Sequence, residues 1–491
     1  MSDLNDLKML LESRYPLVVI ETWEELRALD LIRRLGMRTG KPVFGWNAVD
    51  GLRRLEFEEA PNQKHTVAVE AMLSQVRGSA EPGIYALCDL HPYLRDDPKN
   101  VRLLKQIALH HESLQHSLVL ISHQLDIPPE LSRFCARFSL SMPDEQQLHH
   151  IVQEEARRFK REKGERVRAD RESLDRLVRN LRGLSFEDAR KLARGAIIHD
   201  GAITEADLPE VNKAKFSLME MEGVLSYEYD TESFANVGGL QGLKGWLSKR
   251  ERAFNNPGEL DSPRGIMLVG VQGGGKSLAA KSVAGLWGLP LLRLDMGAIY
   301  NKFFGESERN VREALALAET MSPCVLWIDE IEKGIAVGDN DGGTSRRVLG
   351  TLLTWMAENQ SQVFMVATAN DIERLPPELI RKGRLDEIFF VDLPEPAVRE
   401  VIFRIHLQRR GQNPQDFDLA ALAELSEGFT GAEIEQAVVA GLYSAGADHC
   451  DLDQALLAGE LAATVPLSVT MAEPLARLRH WCQGRAVNAA G

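Results

Sequence analysis

The segment GVQGGGKS, residues 270–277, limits the possible folds of this chain more than any other stretch. It fits the pattern GxxxxGK[ST] at every fixed position. The apolar run GIMLV (265–269) before it predicts a buried strand, and LAAKSVAGLWG after it predicts a helix. A strand, a glycine loop and a helix in this order indicate a phosphate-binding loop on a parallel α/β sheet, and a chance glycine turn is the alternative.

The chemistry expected of this loop is the binding of a nucleotide. Its glycines let backbone N–H groups close around a β-phosphate at a helix N-terminus, which already favours anions. Lys276 is expected to reach the β- and γ-phosphates, and the Ser277 hydroxyl is expected to ligate Mg²⁺. ATP and Mg²⁺ are therefore the predicted cofactors. The predicted nucleotide contacts of the loop are Gly270, Gly273, Gly274, Gly275, Lys276, Ser277 and Leu278.

Two further apolar runs end in polar residues. CVLWIDE (324–330) ends in two acids, as a buried parallel strand with its carboxyl end at a site would. Asp329 is predicted to hold Mg²⁺ through water and Glu330 to polarise the attacking water, whereas solvated acids after an ordinary strand are the alternative. QVFMVATAN (362–370) ends in Asn370, which is predicted to orient that water unless it is a simple turn asparagine.

Two arginines stand in ELIRKGRLDEIFFVDLP (378–394), just before another apolar strand. Arg381 and Arg384 suit a core poorly, because a guanidinium group is costly to bury. They suit the phosphate of a neighbouring subunit, where an arginine finger neutralises the charge that develops on the γ-phosphoryl group. Solvated arginines are the alternative.

The composition narrows the class of protein. The chain of 491 residues suggests two or three domains. Its net charge of −14 disfavours nonspecific binding of nucleic acid, although a local basic patch could still bind it. Its five cysteines are scattered and form no CxxC pair, so neither a disulfide framework nor a zinc ribbon is expected. The sequence has no recognisable signal peptide and no run of ~18 apolar residues, so we expect a cytoplasmic protein without a membrane span.

Over about residues 231–450 these motifs together resemble the AAA ATPases, in the branch that includes the membrane AAA proteases, katanin and the valosin-containing-protein type. FANVGGLQGLKGWL (234–247) is similar to the family's first segment, in which the positions of Val237 and Gly238 line the adenine pocket. GFTGAEIEQAVVAG (428–441) resembles the start of the third helix of the family's lid. The resemblance implies a P-loop sheet followed by a helical lid.

The chain departs from the family pattern at a few positions. Val271, Gln272 and Ser277 stand where the loop is usually richer in proline and threonine, and RKGR replaces the commoner RPGR. Neither change removes a needed hydrogen-bond donor or charge. Taken whole, the chain is most similar to the uncharacterised AAA proteins of bacteria and of some algal plastid genomes.

The resemblance also implies a homo-oligomeric ring, usually a hexamer, with a central channel. In this family the segment between the second strand and its helix faces the channel, and KFFGESE (302–308) occupies that place. Phe303 is the expected contact with a translocated protein chain; Phe304 would support it, Lys302 lies beside it, and Gly305 would let the loop bend. Packing of both rings inside one subunit is the alternative.

The N-terminal half lacks a phosphate loop yet repeats the order of the second half. Residues 15–52 show the same order of sequence patterns as residues 264–301. Residues 117–152 show the same order as residues 363–402, and these two segments share the letters "PPEL". His91 stands where a catalytic glutamate would be needed. These features indicate an AAA-like module that has lost catalysis, and convergence on a common α/β pattern is the alternative.

The predicted fold class is α/β: an AAA-type P-loop NTPase with a parallel sheet and a C-terminal helical lid, preceded by the degenerate AAA-like module. The predicted domains are 1–210 for that module, 211–230 for a linker, 231–398 for the large ATPase subdomain, and 399–491 for the lid and tail. The expected function is an ATP-hydrolysing ring that remodels or threads an unknown protein substrate. An ATP-gated assembly switch that threads nothing and a DNA-loading ATPase are the alternatives.

Overall fold

The structure is a computed structural model that describes residues 2–13, 15–57, 61–95, 97–219, 224–228, 238–255, 261–299, 306–335, 344–381 and 383–491. Val237 and the predicted channel residues Lys302, Phe303, Phe304 and Gly305 lie outside the described residues. The chain divides into two units, Met1–Pro143 and Asp144–Gly491.

The first unit is built around a six-stranded sheet. Its helices are α1 (Ser2–Glu12), α2 (Glu25–Thr39), α3 (Val69–Gly78), α4 (Pro98–Leu109) and α5 (His111–Leu114), and its strands are β1 (Leu17–Glu21), β2 (Val43–Asn47), β3 (Gly51–Arg54), β4 (Ile84–Cys88), β5 (Ser117–Ser122) and β6 (Cys135–Phe138). The strand order is β3-β2-β4-β5-β1-β6, and every neighbouring pair is parallel except β2 with β3. β4 and β5 are buried at every position, because helices cover both faces of a parallel sheet.

The second unit begins with a helical bundle. Its elements are α6 (Glu145–Lys163), β7 (Arg168–Ala169), α7 (Arg171–Asn180), α8 (Phe186–Ile198), β8 (Ala202–Ile203) and α9 (Leu208–Leu218). Asp144 starts the bundle with a capping box, in which its side chain accepts from the Gln147 N–H and the Gln147 side chain accepts from the Asp144 N–H. Leucine, isoleucine, valine and alanine side chains of α6 to α9 form one apolar core.

A seven-stranded sheet follows the bundle. Its elements are β9 (Leu225–Glu228), α10 (Gln241–Asn255), β10 (Gly265–Gly270), α11 (Lys276–Trp287), β11 (Leu291–Asp295), α12 (Met296–Ile299), α13 (Glu306–Thr320), β12 (Cys324–Asp329), α14 (Ile331–Ile335), α15 (Thr344–Glu358), β13 (Val363–Ala369), α16 (Pro377–Ile380) and β14 (Glu387–Val391). On β10, Met267 and Val269 belong to one apolar core and Ile266 and Leu268 to another. This is the alternation expected when helices cover both faces of the sheet.

A helical lid comes next in the chain. It consists of α17 (Pro396–Arg409), α18 (Leu419–Leu425), α19 (Gly431–Ala447) and α20 (Gln454–Ala463), which share an apolar core. The chain then continues through α21 (Leu467–Thr470), α22 (Ala472–Cys482) and β15 (Val487–Asn488) back to the sheet. β15 pairs in parallel with β14, and Leu478 and Cys482 of α22 join one of the two cores of the sheet.

The two sheets share one strand order. The large sheet runs β15-β14-β10-β13-β12-β11-β9, in which only β9 is antiparallel to its neighbour. Its five central strands, read from the β11 end as β11-β12-β13-β10-β14 and numbered by their order along the chain, have the order 2-3-4-1-5. The strands β2-β4-β5-β1-β6 of the first unit have the same order. The predicted α/β class with parallel sheets is confirmed.

The structure differs from the predicted domain boundaries in three places. The predicted module 1–210 extends past Pro143, the end of the first unit, into the helical bundle of the second. The predicted linker 211–230 contains most of α9 and the whole of β9, because Val211 is buried in the bundle core and Leu225 in the core of the large sheet. The predicted lid and tail, 399–491, contains α22 and β15, which pack with the large sheet rather than with the lid.

One observation concerns membranes. In the described part of the chain no single helix is long and apolar enough to cross a bilayer. Two helical stretches that meet at 55°, Gln454–Thr470 and Ala472–Cys482, satisfy the length and composition together.

A buried lysine joins the helical bundle to the large sheet's helices. Lys215 of α9 is 1% exposed, and its Nζ donates to the carbonyl oxygens of Arg182 and Thr320, each at 2.7 Å. Burial lowers the pKa of Lys215 from 10.5 to about 7. Between these two pH values the folded chain binds fewer protons than the unfolded chain, so this lysine makes folding more favourable as pH rises.

We therefore expect the free energy of unfolding of the wild type, relative to Lys215→Met, to rise with pH above about 7, by at most about 1.4 kcal/mol per pH unit. Urea unfolding of both proteins across this pH window measures the difference. The exposed Lys213 on the same helix provides the control, and Lys213→Met should show no such trend. A difference for Lys215→Met that does not change with pH would contradict the assignment.

Candidate active site

The glycine loop connects β10 to α11 at the carboxyl edge of the large sheet. β10 is buried along its whole length and ends at Gly270. A Cβ at Gly270 would lie 2.2 Å from the carbonyl oxygen of Val391, so β14 approaches too closely for any side chain there. Gly273 and Gly275 have φ of +77° and +94°, in the left-handed region that glycine adopts readily. The loop thus depends on glycine at three positions.

Lys276 is the first residue of α11 and is 6% exposed. Its Nζ donates to the carbonyl oxygens of Gly270 at 2.9 Å and Val271 at 2.7 Å. Burial lowers the pKa of Lys276 to about 8, although the nearby carboxylates of Glu332, Asp329 and Glu330 act in the opposite direction. The ammonium group remains largely charged at neutral pH, and neutral carbonyl groups are its hydrogen-bond partners.

Asp329 is the last residue of β12 and Glu330 follows it, and both are held by Thr368 of the neighbouring strand β13. The Thr368 hydroxyl donates to Asp329 Oδ1 at 2.7 Å and accepts from the Glu330 N–H at 2.9 Å. Glu330 has φ of +47°, an uncommon and strained conformation for a residue with a side chain. The buried Thr368 hydroxyl therefore fixes one carboxylate and stabilises the turn that carries the other.

Asn370 follows β13 and contacts Glu330 and Glu332, which lie just after the neighbouring strand β12. Its Nδ2 donates to Glu330 Oε1 at 2.8 Å, and its backbone N–H donates to Glu332 Oε1 at 2.9 Å. Lys333 forms an ion pair with Glu330 Oε2. Glu332 is buried, so burial raises its pKa, and its Oε2 has no hydrogen-bond partner within the described chain. Glu330 is thus the oriented, solvent-accessible acid of the pair.

These groups face one cleft of about 1140 Å³ between the large sheet and the lid. The predicted site residues that line it are Gly238, Gly273, Gly274, Gly275, Lys276, Ser277, Leu278, Asp329, Glu330 and Asn370. The lid closes one side at the start of α19, where the Ala432 N–H donates to the Gly273 carbonyl at 3.3 Å. Sheet and lid therefore meet directly over the glycine loop.

The donor set suits a magnesium nucleotide. A buried ammonium group and the backbone N–H groups at the start of α11 suit phosphate oxygens. Ser277 and Asp329 offer a hydroxyl and a carboxylate, the oxygen ligands that Mg²⁺ prefers.

The structure does not bring the two predicted arginine fingers to this cleft. Arg381 is exposed, and Arg384 is half-buried with its Nη1 donating to the Glu378 carbonyl at 2.5 Å. Neither arginine is among the described residues that line the cleft.

Two residues of the site, Thr368 and Arg293, were not predicted from the sequence. Thr368 is one threonine in an otherwise apolar strand. Its hydroxyl donates to Asp329 and accepts from the Glu330 N–H, 39 and 38 residues away in the chain. Arg293 of β11 donates from Nη2 to Asp329 Oδ2 at 3.1 Å. In both cases the available signal was a polar residue inside an apolar strand.

Comparison with known proteins agrees with this geometry. A model of the "ATPase family associated with various cellular activities (AAA)" matches residues 266–393. Two models of the SpoVK-like AAA ATPase match earlier parts of the chain. The model of that family's N-terminal domain matches residues 3–140, and the model of its second domain matches residues 146–222. A relative in Guillardia theta, "Uncharacterized AAA domain-containing protein ycf46", is 34% identical over 100% of this chain and 97% of its own. The chain belongs to the AAA ATPase family, in its SpoVK-like group.

Other relatives agree with this assignment. The ycf46 protein of Pyropia yezoensis is 34% identical over 100% of this AAA ATPase and 99% of its own length. The proteasome-activating nucleotidase of Aeropyrum pernix is 36% identical over 52% of this chain and 65% of its own. Membership of the family supports nucleotide binding and ATP hydrolysis by this chain.

Thr368→Val should lower ATP turnover by about tenfold or more, because it leaves the Asp329 carboxylate and the Glu330 N–H without their shared partner. Steady-state phosphate release measures the turnover. Thr368→Ser keeps the hydroxyl group and should retain most of the activity. Wild-type turnover by the valine variant would show that this hydroxyl does not position the acids.

Proposed function

We propose that this AAA protein hydrolyses magnesium ATP at the cleft between sheet and lid, and that it assembles into a ring, expected to be a hexamer, which uses hydrolysis to move a protein substrate through its channel. The observation that supports this most strongly is the convergence of Lys276, Asp329, Glu330 and Asn370 on one cleft.

In this proposal the glycine loop and Lys276 bind the phosphates. A triphosphate would replace the carbonyl oxygens of Gly270 and Val271 as the partner of Lys276 Nζ. That exchange is favourable because anionic phosphate oxygens attract the ammonium group more strongly than neutral carbonyl oxygens do. Ser277 and Asp329 would hold Mg²⁺, which neutralises phosphate charge when bound.

Glu330 is the proposed base for the attacking water. Asn370 Nδ2 donates to its Oε1 at 2.8 Å, which restricts the rotation of the carboxylate in the cleft. A water between the Glu330 carboxylate and the γ-phosphate would give its proton to Glu330. Asn370 is near enough to Glu330 to orient the same water.

Ring formation would complete the site. Because Arg381 and Arg384 do not line the cleft of their own chain in the described residues, we propose that they act on the γ-phosphate bound by a neighbouring subunit. The likeness to the proteasome-activating nucleotidase, a protein named for activating the proteasome, supports an ATP-driven role on proteins.

The proposed channel contact is Phe303, with Lys302, Phe304 and Gly305 around it. These residues lie outside the described residues, so their role remains a prediction from their position between α12 and α13. The N-terminal unit shares the strand order of the ATPase sheet, and we propose that it scaffolds the ring or docks a partner.

Glu330→Gln should bind ATP in the presence of Mg²⁺ and turn it over about 100-fold or more slowly than the wild type, because the amide cannot accept the proton of the water. Equilibrium binding of a fluorescent ATP analogue and steady-state phosphate release measure the two properties separately. Lys276→Ala is the control, and it should lose binding as well as turnover. Normal turnover by Glu330→Gln would refute the assignment of the base.

A further inference from the structure

Arg293 is a charged residue inside the apolar strand β11, beside the proposed magnesium carboxylate. Its guanidinium group lies over the ring of Trp327, with Cζ 4.9 Å from the ring centre, and Nη2 donates to Asp329 Oδ2 at 3.1 Å. Its Nη1 lies 3.8 Å from Glu228 Oε1 on the other side. Nε has no hydrogen-bond partner within the described chain. Arg293 thus stands between two carboxylates and is fully satisfied by neither.

Glu228 connects this arginine to other parts of the unit. It is the last residue of β9, which pairs with β11, and its Oε2 forms an ion pair at 3.0 Å with Lys281 of α11. The preceding Tyr227 contacts Phe216 of α9, with ring centres 5.7 Å apart. A single strand therefore touches the helical bundle, the helix after the glycine loop and, through Arg293, the active site.

Both oxygens of Asp329 already accept hydrogen bonds from the protein, Oδ1 from Thr368 and Oδ2 from Arg293. A guanidinium group at Oδ2 repels a second cation that approaches the same carboxylate. Glu228 Oε1, 3.8 Å from Nη1, offers that guanidinium group a second anionic partner. The side chain of Arg293 is 38% exposed, so the difference in free energy between the two positions is small.

We infer that Arg293 is a positioning residue that exchanges between Asp329 and Glu228, and that it moves toward Glu228 when magnesium nucleotide binds. This inference rests on the proposed function, since it takes Asp329 as the magnesium carboxylate. Because coupling between sites is reciprocal, a change in the bundle that shifts β9 would alter the magnesium requirement of the active site, and magnesium nucleotide would alter β9.

The test measures the affinity for a fluorescent ATP analogue at increasing Mg²⁺ concentrations. The quantity compared is the Mg²⁺ concentration at which the increase in affinity is half complete. Arg293→Met removes the competing cation and should lower this concentration about three- to fivefold. Glu228→Gln removes the alternative partner and should raise it by a similar factor. In the double variant the effect of Glu228→Gln should vanish, because Glu228 acts through Arg293.

A second readout follows the strand itself. Amide hydrogen exchange at residues 224–228 should change when magnesium ATP is added to the wild type, and this response should be lost in Arg293→Met. A purely structural role of Arg293 would alter exchange equally with and without nucleotide. Binding of ATP in EDTA shows that each variant is folded. If Arg293→Met fails that check, Arg293→Gln replaces it, with the same expected shift.

Two results would overturn the inference: an unchanged or higher Mg²⁺ requirement in Arg293→Met, or an effect of Glu228→Gln that persists in the double variant, as general electrostatics would give. Asp329→Asn separates this failure from failure of the proposed function. If Asp329→Asn leaves the Mg²⁺ requirement unchanged, the proposed magnesium site itself is wrong. If Asp329→Asn raises the requirement while Arg293→Met has no effect, only the role of Arg293 is wrong.

Discussion

The active site depends on the position of β13 between β10 and β12 in a parallel sheet. The carboxyl ends of these strands meet at one edge, so the glycine loop, the acids at the end of β12 and the polar residues at the end of β13 are neighbours despite their separation in the chain. From this central strand Thr368 binds both Asp329 and the backbone of Glu330, and Asn370 orients the Glu330 side chain. The contacts among these residues are all between the ends of sheet strands.

The first unit has the same strand order as the ATPase sheet but different side chains at the carboxyl ends of its strands. At the carboxyl end of β1, Glu21 accepts from the Leu125 N–H and pairs with Arg137. The exposed Trp23 stacks on His123, with ring centres 4.7 Å apart. Acidic and aromatic side chains thus occupy the edge where the second unit has glycines and a lysine. The two units share a strand order, and the described residues at this edge of the first unit are not the groups that suit phosphate.

The sequence predicted those parts of the molecule whose signals are local. Buried parallel strands read as continuous apolar runs, and the loop around Lys276 and the acids at 329–330 follow such runs directly. The roles of Thr368 and Arg293 could not be predicted, since each depends on a neighbouring strand distant in the chain. The return of the tail through β15 was missed because a two-residue strand has no periodicity. The channel segment around Phe303 lies outside the described residues and remains a prediction.

In the proposed function, ATP hydrolysis moves a protein chain past Phe303. The most direct measurement uses Glu330→Gln as a trap: the tagged variant is purified from its own host with ATP, and the proteins that co-elute are identified by mass spectrometry against Lys276→Ala. If a protein is threaded, the trap should hold a specific protein that is lost when Phe303→Ala is added. A partner that remains bound despite Phe303→Ala, or nothing beyond the control, would contradict threading and favour an ATP-gated assembly switch.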